Sequence, residues 1–166
     1  MHKFVILSAL LILSGCGFQP LHGQVFDKDG VALIEEFKSI SIGNIPNREG
    51  QILRNLLIDR FYRDGRATDV VYRLQLSPLV EVKRDLDITV ESDSTREELR
   101  IDTNMQLIDV KTGQTLVSRK LFTTTSFNVL ENEFAKRVSE QNSRKNALND
   151  LARQIELHVA LYFKRH

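Results

Sequence analysis

The chain has 166 residues, with 23 Lys and Arg against 22 Asp and Glu, a formal net charge of +1, and one cysteine. That length fits about one domain with a real core. Near-neutral bulk charge argues against a nucleic-acid partner, and a lone cysteine excludes an internal disulfide.

The N-terminus opens with Met1-His2-Lys3, followed by the apolar run Phe4 to Leu13. A basic start and an apolar run of this length predict a secretory signal peptide over residues 1–15, too short to span a bilayer as a mature helix. Leu13-Ser14-Gly15-Cys16 resembles the bacterial lipobox, in which the cysteine thiol receives diacylglycerol before cleavage. Cys16 then becomes the first mature residue, carrying S-diacylglycerol and an N-acyl chain. The alternative is an ordinary buried thiol. Gly17 follows the cysteine where an aspartate would favour retention in the inner membrane, so the expected location is the outer membrane of a Gram-negative cell. Without residues 1–15, which carry only Lys3, the balance becomes 22 against 22.

Residues 16–36 read as a lipidated N-terminus and tether, with Asp27-Lys28-Asp29-Gly30 as a turn. Residues 37–166 read as one domain. Ser39-Ile40-Ser41-Ile42 alternates with period two and predicts a strand. Asn47 is placed to cap a helix with apolar positions Ile52, Leu53, Leu56, Leu57 and Phe61, and Gly65 fits its stop. Val70 to Lys83 reads as a long strand, with Tyr72, Leu74, Leu76, Val80 and Val82 on one parity. Pro78 interrupts it and predicts an edge position or a bulge. Asp85 to Ser94 reads as a long acidic loop.

A third strand runs from about Glu97 to Val110, with Leu99, Ile101, Met105 and Leu107 on one face. Asp109 to Gln114 is a hairpin turn signal, and a fourth strand follows from Thr115 to about Phe127. The last segment predicts a helix with Leu148, Leu151, Ala152, Ile155, Val159 and Tyr162 on its apolar face. Ser139 to Asn146, just before it, is wholly polar. The expected core is Ile40, Ile42, Leu53, Leu56, Leu57, Tyr72, Leu74, Leu76, Leu148, Leu151, Ile155 and Val159. The order β-α-β-β-β-α predicts an α+β two-layer sandwich, with two helices on one face of a four-stranded, mostly antiparallel sheet. The first strand can lie parallel to a neighbour through the first helix, which would make the sheet mixed.

Three segments carry a family resemblance. Gly15-Cys16-Gly17-Phe18-Gln19-Pro20-Leu21 resembles the opening of the alphaproteobacterial form of the LptE lipopolysaccharide-assembly lipoproteins. Asn47-Arg48-Glu49-Gly50-Gln51-Ile52-Leu53-Arg54-Asn55-Leu56 is similar to that family's first helix. Ala147-Leu148-Asn149-Asp150-Leu151-Ala152 through Tyr162-Phe163 resembles its last helix. The resemblance implies two helices on a four-stranded sheet. It also implies a lipoprotein that plugs and helps assemble the outer-membrane β-barrel LptD and binds lipopolysaccharide during its transport to the cell surface. The family's lipopolysaccharide-binding cations come from the connection into the third strand and from the segment before the last helix. Those places hold Arg96 and Lys136-Arg137 here. Lys83-Arg84 and Arg119-Lys120 are lesser candidates.

An enzyme reading finds little support. His2, His22, His158 and His166 lie far apart without metal-ligand spacing. The lone cysteine is assigned to lipid, which leaves no Cys-His nucleophile. No cofactor is expected beyond the covalent lipid. Asp85, Asp87, Glu91 and Asp93 read as a solvated acidic loop. A stand-alone binding or scaffolding lipoprotein of the cell envelope is the competing reading.

Overall fold

A computed structural model describes residues 28–63, 65, 69–88, 94–129 and 132–165. The elements run α1 Lys28–Lys38, β1 Ile40–Ile42, α2 Asn47–Phe61, β2 Tyr72–Leu76, β3 Val80–Ile88, β4 Ser94–Asp109, β5 Thr115–Asn128 and α3 Glu133–Phe163. This is the expected α+β class with a mixed sheet, but the described residues form three helices and five strands rather than two and four.

The extra strand comes from the break at Pro78. β4 pairs antiparallel with β5 along one side. Along its other side it pairs first with β3 and then with β2, so β2 and β3 are two halves of one interrupted strand. Leu76 lies opposite Met105 and Val80 opposite Asp102: four steps on one strand against three on the other. That extra residue reverses which side chains face the core. Leu74 and Leu76 are buried, but Val80 is 56% exposed, which corrects the single parity expected across this stretch. Pro78 has no N–H to offer the ladder, and Ser77 holds the break together. Its N–H donates to Asn104 O at 2.9 Å, its Oγ accepts from Asn104 N at 2.9 Å, and its carbonyl accepts from Thr103 Oγ1 at 3.0 Å. β1 lies parallel to β2, with Ile40 opposite Tyr72.

The odd-numbered face of β4 forms the floor of the core. Leu99, Ile101, Met105 and Leu107 are fully buried there, under Leu148, Leu151, Ile155 and Val159 of α3 and Leu53 and Leu57 of α2. The Asp109–Gln114 hairpin turn forms as expected. Asp109 Oδ1 accepts from Thr112 N at 2.7 Å, and Gly113 supplies φ +72°.

The turn expected over residues 27–30 does not form at Lys28 to Gly30, which begin α1; Asp27 lies outside the described residues. The helix is drawn into the core by Phe37, stacked on Phe61 at 4.6 Å. Asn47 does not cap α2 through its side chain. It takes φ +68° behind Pro46, and no side-chain cap bond forms. Ile52 is 37% exposed, and Leu56 and Tyr72 are only partly buried, so the core stripe of α2 is narrower than expected. The acidic stretch is partly strand, since β3 continues to Ile88. The polar stretch Ser139 to Asn146 is helical.

Candidate functional site

At one end of the molecule, the tip, the C-terminal part of β3, the start of β4, the end of β5 and the start of α3 meet. Arg96 lies opposite Asp87 of β3 and Asn128 of β5. It donates from Nε and Nη2 to Ser126 Oγ at 3.2 and 2.8 Å. Glu97 follows it and points to the opposite side of the sheet, as consecutive strand residues do. There Lys136 approaches it, with Nζ to Oε1 at 3.5 Å. Asn132 starts α3 by accepting from Phe134 N and Ala135 N at 2.9 and 3.1 Å, which fixes where Lys136 and Arg137 leave the helix. The structure therefore brings Arg96 and Lys136 to the same end but on opposite faces of the sheet. Arg137, exposed, is one helical step beyond Lys136. Beside these cations stand three uncovered apolar side chains: Phe134, 77% exposed, Leu86 and Val138.

The lesser candidates separate in the same way. Lys83 faces the helix side and binds Glu140 of α3. Glu140 also accepts from Arg144 Nη2 at 2.8 Å, and Arg144 Nε reaches both oxygens of Glu81 at 3.1 and 3.2 Å. The hydrogen bond from Lys83 holds the Glu140 carboxyl below its ordinary range, with Arg144 adding to the effect. The polar stretch of α3 is thus explained: it is the helix half of an ionic latch onto β3. Arg84 and Lys120 instead emerge on the helix-free face, where they share a hollow of about 410 Å³ with Val80, Val82, Arg100 and Asp102.

Sequence reasoning did not single out Arg100. It chelates Asp102 at 2.9 Å through both Nε and Nη2 and lies 4.1 Å above the exposed Phe122 ring. That hydrogen-bonded pairing lowers the Asp102 pKa. The signal was present in the even-numbered charges of β4, Glu98, Arg100 and Asp102, which period two assigns to one face. These carboxylates leave the face a mosaic of both signs rather than a concentrated anion site. Among the described residues no group of His, Cys, Asp and Glu is arranged to hold a metal ion.

The family model for lipopolysaccharide assembly, LptE, matches residues 37–158, most of the chain. The chain belongs to the LptE family. This makes it a lipopolysaccharide-assembly lipoprotein of the cell envelope, in a family that is not enzymatic. No curated protein matches the sequence. Solved structures share the LptE fold. A lipoprotein from Caulobacter crescentus CB15 is 21% identical, with TM-score 0.63, over 81% of this chain and 97% of that one. Rare lipoprotein B from Shewanella oneidensis is 13% identical, with TM-score 0.60, over 76% and 95%. Lipoprotein B from Nitrosomonas europaea is 18% identical, with TM-score 0.59, over 75% and 82%. At these identities the likeness speaks for the fold. The lipidation site expected in this LptE-family chain, Cys16, lies outside the described residues, as do Glu91 and Asp93.

Proposed function

We propose that this LptE-family protein is an outer-membrane lipoprotein, acylated on Cys16, that seats in the LptD barrel and receives lipopolysaccharide at its tip. Family membership supports the transport role. The observation that carries the tip assignment is the pairing of uncovered Phe134, Val138 and Leu86 with Arg96, Lys136 and Arg137. A phosphorylated glycolipid offers acyl chains and phosphates side by side. Arg and Lys meet phosphate through charge-assisted hydrogen bonds, and their apolar stems lie along acyl chains. In a chain with nearly balanced charge, bulk attraction cannot supply this binding, so a few positioned cations must. Because Arg96 and Lys136 flank the two faces of the sheet end, a headgroup would be held across the rim rather than in an enclosed pocket.

The test is binding of purified, unacylated protein to lipopolysaccharide. Changing Arg96, Lys136 and Arg137 together to Glu should weaken binding at least tenfold, with circular dichroism unchanged and copurification with the barrel retained. Unaltered binding by the well-folded triple variant would place the phosphate contact elsewhere, and release of the protein from the barrel in mild detergent would count against the plug. The anchor has its own measurement. Cys16→Ser should abolish incorporation of labelled palmitate, and labelling that persists would sink the lipobox assignment.

A further inference from the structure

The far end of α3 carries a second amphiphilic surface that the tip does not explain. Leu157 and Leu161, one helical turn apart, are 57% and 38% exposed. A hollow of about 340 Å³ beside them is lined by Leu116 and Arg119 of β5 and by His158, Leu161, Tyr162 and Arg165, with no acidic residue in its wall. Lys164 is exposed at the helix end. Among the described residues no carboxylate pairs with Arg119, His158, Lys164 or Arg165; Asp150 engages Arg153, and Glu156 engages Arg60. Cations do offset the partial negative charge of a helix C-terminus, which accounts for Lys164 and Arg165. It does not account for two uncovered leucines, nor for Arg119 arriving from a strand.

We propose that this surface is a membrane-contact face, which lays the base of the protein on an anionic phospholipid leaflet. Leucines entering the acyl boundary, with long cations around them reaching headgroup phosphates, are the chemistry of interfacial attachment. The path of the chain agrees. Ile40, just after α1, lies opposite Tyr72, and Phe163 packs on Tyr72 at 5.1 Å, so α1 ends beside this end of α3. Eleven residues lie between Cys16 and Lys28, a reach of up to roughly 40 Å. An acyl group on Cys16 can therefore enter the same leaflet. That last point rests on the acylation proposed above; the surface itself does not.

The probe is the chain from residue 16 onward carrying Cys16→Ser, so that no acyl chain contributes. It is floated with vesicles of phosphatidylethanolamine and phosphatidylglycerol, or of phosphatidylcholine alone. Flotation is expected with the first and not the second, and it should weaken as salt is raised. Arg119→Glu with Arg165→Glu should reduce the bound fraction at least tenfold, and so should Leu157→Ser with Leu161→Ser. Arg48→Glu, exposed at the start of α2, should leave it unchanged, and each variant should keep its circular dichroism. No flotation with anionic vesicles, or flotation indifferent to both double variants, would overturn the proposal. Loss of barrel copurification by these variants without any vesicle binding would also overturn it, and would mark the surface as a protein interface. Failure of lipopolysaccharide binding in the tip experiment leaves this result standing, because the two assays use different residues and different lipids.

Discussion

Gly50 illustrates how much one position can fix. A side-chain carbon placed there would meet Ile45 Cγ2 at 2.7 Å and Ile45 O at 2.9 Å. The turn that carries the chain from β1 into α2 passes over this residue, and Gln51 ties it down by donating to Asn44 Oδ1 at 2.8 Å. Alanine at a helical site gains about 1 kcal/mol over glycine in propensity. Forcing a methyl against backbone costs about 1–3 kcal/mol, and a carbonyl in a pinned turn gives little. Gly50→Ala should therefore lower stability by up to about 2 kcal/mol in urea denaturation, where propensity alone predicts a gain. The sequence contained this glycine inside a recognisable segment, but its reason was invisible there, because the contact depends on how the preceding turn folds back. Asn47 is similar. It stands where a cap is usual, yet it serves by adopting the left-handed conformation that Asn tolerates better than most residues.

At the scale of elements, periodicity was legible wherever one rule ran without interruption. Leu99 to Leu107 kept period two, and Leu148 to Val159 kept helical spacing, so both faces were placed correctly. Val80 and Val82 were misplaced because one extra residue beside Pro78 shifts the phase, and alternation in the sequence cannot register a residue the partner strand lacks. The consequence is that β3 turns Glu81 and Lys83, not valines, toward α3. This half of the sheet is held by charge where the other is held by packing. Glu140 makes the difference measurable. Its folded pKa lies below the ordinary value of about 4.5, so its contribution is complete above the unfolded pKa and disappears as pH falls through the folded one. Hydrogen exchange, corrected for intrinsic rates, should show β3 losing protection as pH falls below about 4.5 while Leu99 to Leu107 stay protected. Glu140→Gln should loosen β3 already at pH 7 and remove most of that pH response. Equal protection of β3 in both proteins would count against the latch. The cations of the candidate site were legible as residues but not as a cluster, since only the pleat reveals that Arg96 and Glu97 part to opposite faces.

Across the whole molecule, α3 is the ruler. Its 31 residues measure roughly 46 Å at 1.5 Å each, longer than the hydrocarbon core of a bilayer at about 30 Å. One end carries Phe134, Val138 and the tip cations, and the other carries Leu157, Leu161 and the basal ones. Between them the helix is anchored in the hydrophobic core. The β4–β5 hairpin also sets an order in time. It is closed by a short turn with contacts between near neighbours in sequence, the kind that form soonest, while β2 and α3 must be brought from farther along the chain. Once the hairpin forms, Leu99, Ile101, Met105 and Leu107 wait uncovered until α3, which follows the strands in the chain, arrives to cover them. During that interval the protein is most vulnerable to its neighbours, and a chain truncated before α3 would remain in it permanently.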